Sequence, residues 1–364
     1  MGSPLGGRPA GGVLRARAAS LLLAVVAVGI GLAILGLGLA LAGYDAPRAL
    51  AALWSGALGS RYAIFSATLV RAIPLITIGL GIALAFRGGA LNIGAEGQFL
   101  AGAIAATWVG LHAGGLPGPV ALALTLGAAA AAGGAWVSLP AWLRARFGVL
   151  EVITTLLLNF VAESLVSLMV QGPLQEARQA YPQSDPIVAA AQLPRFGGSQ
   201  LHAGIVLALL AALAAAFVVR RTLWGFQLRA VGTNPLAARI TGRISTARML
   251  AIALIISGLL AGLAGGMEVS GVTLQLFQNL SPGYGFTGIA VALLARLNPL
   301  GVIGTGILFA ALETGAGAMQ RDAGVPQVAV YVVEAVVIVV VLAADVLARR
   351  RLQPLQVDPD ASAP

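Results

Sequence analysis

The 364-residue sequence contains no cysteine and no lysine, and only two histidines. Without cysteine, disulfides, iron–sulfur clusters and thiolate metal sites are excluded. His112 and His202 both fall near the outer ends of apolar segments, where an interfacial place is expected and a His-rich metal site is not. Without lysine, the chain cannot contain the G-x-x-x-x-G-K-[ST] loop whose lysine reaches nucleotide phosphates. Charge is also scarce: 10% of residues are charged, against about a quarter in soluble globular chains. What remains is apolar and small. Hydrophobic residues make up 59% of the chain, with 48 glycines, and the mean hydropathy is +0.93. These values define a multi-span membrane protein built for close helix–helix contact, and its fold class is all-α.

All 22 basic residues are arginine, against 13 acids, for a net charge of +9. Such a balance can mark a nucleic-acid binder. Here the arginines sit at the ends of apolar segments, so they read as a topology signal and no nucleic acid is expected. A bilayer-crossing helix needs about 20 mainly apolar residues. Candidate spans lie at 20–43, 66–86, 91–111, 119–141, 149–171, 201–219, 250–270, 284–296, 299–319 and 326–347. The first, preceded by Arg8, Arg15 and Arg17, is longer than the apolar core of a signal peptide and is expected to remain as a span. With both termini inside, sixteen arginines are cytoplasmic and six external, as the positive-inside rule requires. That distribution favours ten crossings, including the short 284–296 segment.

The expected organisation is one transmembrane domain over 20–348, between cytoplasmic tails at 1–19 and 349–364. Residues 172–200, polar and proline-interrupted, read as an external loop, and 220–248 as the longest internal one. The stretch RGGALNIGAEGQFLAG (87–102) carries Asn92, Glu96 and Gln98 inside an apolar segment. Asn92 and Glu96 are four apart and should share a helix face. Glu96 is either a buried anchor for a glycine-rich bend or a solute contact, because acids at membrane depth face protein or water. In EVITTLLLNFVAESL, Glu151, Thr155, Asn159 and Glu163 recur every four residues. This polar line serves either an aqueous path or interhelical hydrogen bonds. Gly258, Gly262 and Gly266 form a packing ridge. Glu313 and Glu334 look like lone intramembrane acids with no arginine available to pair.

The internal loop holds a short helix with readable ends. Asn234 can cap it, Pro235 suits the first helical position, and Gly242 suits the position after its end. Leu236 and Ile240 share one side, with Arg239 and Arg243 elsewhere. So short a helix is marginal alone, and docking against a partner protein would stabilise it.

Four strings, FRGGALNIGAEGQFLAG, EVITTLLLNFVAESL, RAVGTNPLAARITG and SPGYGFTGIAVALLARLNPLG, together resemble the permease subunit of an ATP-binding-cassette importer. The resemblance is to the nucleoside and simple-sugar branch of the group that includes ribose and branched-chain amino acid permeases, and it covers about residues 62–347. It implies a type II importer fold of about ten helices and a second permease subunit, paralogue or self. It also implies cytoplasmic ATPase subunits and an external substrate-binding lipoprotein. On this basis the segment Asn234, Pro235, Ala238, Arg239 and Gly242 is the ATPase-coupling loop, although Arg243-Ile244 departs from the family's Gly-Ile. The pathway candidates are Asn92, Glu96, Gln98, Thr155, Asn159, Glu163, Phe286 and Thr287, with Phe286 or Phe160 as a stacking surface for a nucleoside. The chain itself is expected to hold no cofactor, no metal and no catalytic residue; ATP belongs to the partner. The expected location is the cell (inner) membrane, in contact with lipid. The competing reading is a proton- or sodium-coupled carrier, with Glu96, Glu151, Glu163 and Glu313 as a relay.

Overall fold

The computed structural model describes Val26, residues 28–240 and 244–326, and scattered positions from 328 to 343. The tail regions 1–19 and 349–364, Gly242, Arg243 and Glu334 lie outside the described residues, as does much of the last candidate span. Among the described residues the chain is helical and without strands. Twelve helices follow in order: α1 Val28–Leu41, α2 Ala46–Leu58, α3 Leu69–Arg87, α4 Ala95–His112, α5 Gly118–Phe147 and α6 Glu151–Val170. Then come α7 Gly204–Arg221, α8 Leu223–Thr233, α9 Pro235–Ile240, α10 Thr246–Glu268, α11 Tyr284–Leu294 and α12 Pro299–Ala323. A π-helical turn, Ala63–Thr68, leads into α3, and another, Val269–Thr273, ends α10.

Six of these helical stretches are long and apolar enough to cross a bilayer: 63–87, 118–147, 151–170, 204–221, 246–273 and 299–323. Helices α1 and α11 are apolar but shorter. The span expected at 91–111 starts later, at Ala95, and Glu96 and Gln98 in its first turn dilute its hydropathy. The described residues divide into two units, one of residues 53–318 and one drawn from 26–52 and 319–343. In the second, Asp45 caps α2 by accepting the Arg48 N–H at 3.0 Å, and Leu35, Leu39 and Ala49 are buried.

Within 53–318 the centre is α3. Every residue from Ala72 to Ala85 is buried, as expected of a helix apolar on all sides. Between membrane helices the hydrophobic effect adds little, so close backbone approach must supply the attraction. The glycine ridge of α10 does this. A Cβ at Gly262 would collide with the Ala129 carbonyl of α5, one at Gly133 with the Gly258 carbonyl, and one at Gly102 of α4 with the Gly262 carbonyl. Three helices therefore meet backbone to backbone along Gly258 and Gly262.

The segment 172–203 packs against the end of α10. The Ser184, Ile187 and Leu193 N–H groups donate to the Leu276, Leu274 and Ser270 carbonyls, each at 2.8 Å. The π turn leaves Ser270 and Gly271 carbonyls outside the helical ladder, and this segment takes them up: Arg195 donates to the Gly271 carbonyl at 3.4 Å. His202 is buried beneath it rather than interfacial, pressed against Gly271 and Gly204, and accepts the Gly204 N–H through Nδ1 at 3.2 Å. His112 is exposed.

Two outcomes follow from this packing. Gly262→Val should prevent α10 from closing on α5, at a cost of about 3 kcal/mol or more, seen as loss of a monodisperse peak and a lower thermal midpoint. Burial, with Arg195 as a lesser cause, lowers the His202 pKa from 6.5 to about 4. The neutral ring's contribution is therefore intact above pH 6.5 and is lost as pH falls towards 4. Thermal midpoints of the native chain should fall across that window, and His202→Gln should flatten that part of the slope.

Candidate functional site

The region of interest begins where α3 stops. Gly89, at φ +85°, turns the chain, and the bonds Ala90 N–H to Ala85 O and Gly89 N–H to Phe86 O, both 3.0 Å, close a Schellman end. Residues 90–94 are then non-helical. Asn92 therefore does not share a helix face with Glu96, as its spacing suggested; it lies in the connection before α4. The glycines permit this break, since Gly89 needs a left-handed backbone and a Cβ at Gly94 would stand 2.7 Å from the Thr155 carbonyl oxygen.

A non-helical stretch within an apolar bundle leaves backbone groups that water cannot satisfy. Helix α6 satisfies them. The Leu91 N–H donates to Glu151 Oε1 at 3.0 Å, the Ile93 N–H to Thr155 Oγ1 at 3.3 Å, and the Gly97 N–H to Asn159 Oδ1 at 2.8 Å. Asn159 Nδ2 returns a bond to the Ile93 carbonyl at 3.0 Å. The geometry explains the period of four. Four residues of helix rise about 6 Å, and two residues of extended chain advance about 6.6 Å. Glu151 and Thr155 thus meet the alternate N–H groups of Leu91 and Ile93, and Asn159 reaches past them to the Gly97 N–H in the first turn of α4. Glu151 is further held by an ion pair with Arg144.

Asn92 is fully buried and pairs amide to amide with Gln98, at 2.8 and 2.9 Å, while donating to Ser257 Oγ of α10 at 2.9 Å. Its Oδ1 also accepts the Gly94 N–H at 3.0 Å. Glu96 points the other way. Its Oε2 accepts the Gly285 N–H at 2.6 Å, and Ser281 Oγ accepts the Gly283 and Tyr284 N–H groups at 3.1 Å. The carboxylate thus sits at the positive end of α11 and satisfies one of its orphan donors. Only glycine fits at 285, because a Cβ there would collide with the Glu96 backbone.

Beside Glu96 lies a cavity of about 300 Å³ lined by Leu100 of α4, by Glu163, Ser164, Val166 and Ser167 of α6, and by Asn279, Leu280 and Ser281 ahead of α11. Ser164 Oγ is engaged with the Phe160 carbonyl at 2.8 Å, whereas the Glu163, Ser167 and Asn279 side chains have no hydrogen-bond partner among the described residues. The polar line of α6 therefore divides: Glu151, Thr155 and Asn159 are spent on the backbone of the connection, and Glu163 is left for the cavity. Glu96 and Glu163 are the pathway candidates that line it. Asn92, Gln98, Thr155 and Asn159 lie behind its wall, and Phe286, Thr287 and Phe160 lie outside it, the two phenylalanines exposed. Ser167 extends the period-four line of α6 by one more step, whereas the spacing of residues gave no signal for Asn279 or Ser281, which reach the cavity through the turns before α11. Glu313 is not alone: Arg71, in the first turn of α3, stands 3.7 Å from its carboxylate. No group of three or more potential metal-ligating acids or histidines occurs among the described residues.

On the other side of the break lies the loop of α8 and α9. Asn234 Oδ1 accepts the Ala237 N–H at 2.9 Å, so α9 is capped and starts at Pro235 as its sequence indicates. Ala238 is buried, while Leu236, Arg239 and Ile240 are exposed. Helix α8 was not evident in the sequence. It packs on the end of α3, where a Cβ at Gly232 would collide with the Arg87 carbonyl and one at Gly88 would stand 2.5 Å from Leu228 Cδ1. The loop is thus seated on the residues that open the non-helical connection.

Residues 64–342 match the family described as branched-chain amino acid transport system / permease component. The chain belongs to this permease family. The permease is 38% identical over 295 residues to the glucose ABC transporter permease of Haloferax volcanii, covering 78% of this chain and 77% of the relative. It is 37% identical over 332 residues to a guanosine ABC transporter permease of Bacillus subtilis, covering 89% and 94% of the two chains. A second guanosine ABC transporter permease of that bacterium is 30% identical over 253 residues, covering 68% and 79%. In this permease, Asn159→Leu should leave the Gly97 N–H and the Ile93 carbonyl unpaired. The expected cost is about 2–4 kcal/mol, read as a lower thermal midpoint, whereas Glu163→Gln should leave the midpoint within about a degree because its side chain has no hydrogen-bond partner among the described residues.

Proposed function

We propose that this permease is the membrane subunit of an ATP-driven importer that carries nucleosides or simple sugars into the cell. The observation that carries the reading is the polar cavity beside Glu96, where Glu163, Ser167 and Asn279 offer unspent acceptors and donors. Guanosine and glucose, the solutes in the relatives' names, share a polyhydroxylated ring. Carboxylate, amide and hydroxyl groups are suited to such a ring, and a volume of about 300 Å³ accommodates one. Phe286 and Thr287 then belong to the vestibule leading to it.

The energy comes from another chain, since the absence of lysine excludes a P-loop here. The exposed Leu236, Arg239 and Ile240 of the capped helix α9 dock on a cytoplasmic ATPase, with Asn234, Pro235, Ala238 and Gly242 shaping the contact. Movement at α9 passes through α8 to Gly88 and Gly89, and then along the connection to Asn92 and Glu96. The two distinct guanosine permeases of one bacterium support a pair of permeases around one path. With an external binding lipoprotein they complete a type II importer of about ten helices per subunit in the cell membrane. The domain spans 20–348, with external loop 172–200 and both termini inside. Of the four acids that would make a proton relay, three are already engaged and Glu163 alone is free among the described residues. Glu96 is tied to Gly285, Glu151 to Arg144 and Leu91, and Glu313 stands next to Arg71.

Uptake of radiolabelled guanosine and glucose by cells expressing the full transporter provides the test. The double variant Pro235→Gly, Ala238→Gly should lower uptake about tenfold at unchanged membrane abundance, and uptake should follow cellular ATP. Uptake that survives ATP depletion and collapses with an uncoupler would overturn the reading.

A further inference from the structure

The α7–α8 elbow carries a charge pattern that the transport path does not use. From Arg195 to Arg248 the sequence holds seven arginines and no acid; the nearest acids along the chain are Asp185 and Glu268. Arg220 lies in the last turn of α7 and Arg229 on α8. Both stand near enough to Arg87, at the end of α3, for their charges to repel it. Arg87 spends two of its donors, Nε at 3.2 Å and Nη2 at 2.6 Å, on the Leu297 carbonyl, which neutralises nothing. Among the described residues Arg220 and Arg229 form no ion pair with any acid. Three cations thus converge without an anion.

Beside them α8 is amphipathic in a particular way. Gly225, Leu228 and Val231 are buried on one face. Leu223 and Phe226 are 71% and 57% exposed on the opposite one. At 100° per residue, Arg229 falls on the boundary between the two faces. An exposed apolar arc edged by arginine, directly following a membrane-length helix, is the pattern of a helix lying in the bilayer interface.

We infer that the elbow is a binding site for the phosphate headgroup of an anionic phospholipid, held by Arg220, Arg229 and the free donors of Arg87, with Leu223 and Phe226 set among its acyl chains. The site lies against Gly88 and Gly89, so an occupied headgroup would steady the end of α3 from which the connection departs. This inference does not depend on which solute is carried.

The test uses the full chain in nanodiscs of phosphatidylcholine and phosphatidylglycerol at 3:1, followed by native mass spectrometry of the lipids retained. Phosphatidylglycerol should be enriched about fivefold or more over its bulk ratio. Arg220→Gln with Arg229→Gln should abolish the enrichment, and the corresponding lysine pair should preserve most of it. Inorganic phosphate at millimolar concentration should neither displace the lipid nor raise the thermal midpoint; displacement would assign the site to a free anion. Retention at the bulk ratio would overturn the inference. So would a glutamine variant that keeps the enrichment yet loses co-purification of an ATPase, which would assign these arginines to the protein partner.

Discussion

The structure turns on one requirement: a stretch of chain inside an apolar bundle has stopped being helical, and each of its amides needs a partner that is not water. Residues 90–94 make that demand, and α6 meets it with Glu151 and Thr155 at the Leu91 and Ile93 N–H groups and Asn159 at the Ile93 carbonyl, on a single line. The break is worth its cost because it frees the start of α4. Glu96 can then reach α11, and Asn92 can reach α10. Four helices are thereby registered against one another by hydrogen bonds from side chains, whose directionality fixes relative height along the bundle in a way that apolar packing alone does not.

Glycine supplies the other half of the design. The Gly258 and Gly262 ridge brings α10 against the backbones of α5 and α4, and Gly285 lets the Glu96 backbone lie against α11. In lipid, where sequestering a leucine from other hydrocarbon gains little, such contacts supply dispersion and set separation. The same residue type does a second task at Gly88 and Gly232, where α8 rests on the end of α3. Loop, connection and cavity therefore form one continuous set of close contacts.

Much of this was legible in order but not in partnership. The period-four line in EVITTLLLNFVAESL was visible, as was its need to face protein or water, yet its partner could not be known. Helical spacing placed Asn92 and Glu96 on one face; the structure separates them because Gly88 and Gly89 end α3 early and α4 begins only at Ala95. Glu313 looked isolated because Arg71 is far away in sequence and adjacent only once α3 and α12 are packed. The cavity residues Asn279 and Ser281 carried no spacing signal, since turns rather than a helix face bring them to Glu163, while Ser167 continues the period-four line by one step.

Composition and order by themselves determined that the chain is a helical membrane protein, that it cannot hold a lysine-based nucleotide loop, and that α9 is capped at Asn234. They also carried the family resemblance. These are local or additive properties: hydropathy sums along a segment, and a cap needs only its own next three residues. The tertiary structure alone decided which polar side chains are consumed in holding the backbone and which remain free. That division depends on whether a buried donor or acceptor finds its partner 60 or 190 residues away, as Leu91 finds Glu151 and Gly285 finds Glu96.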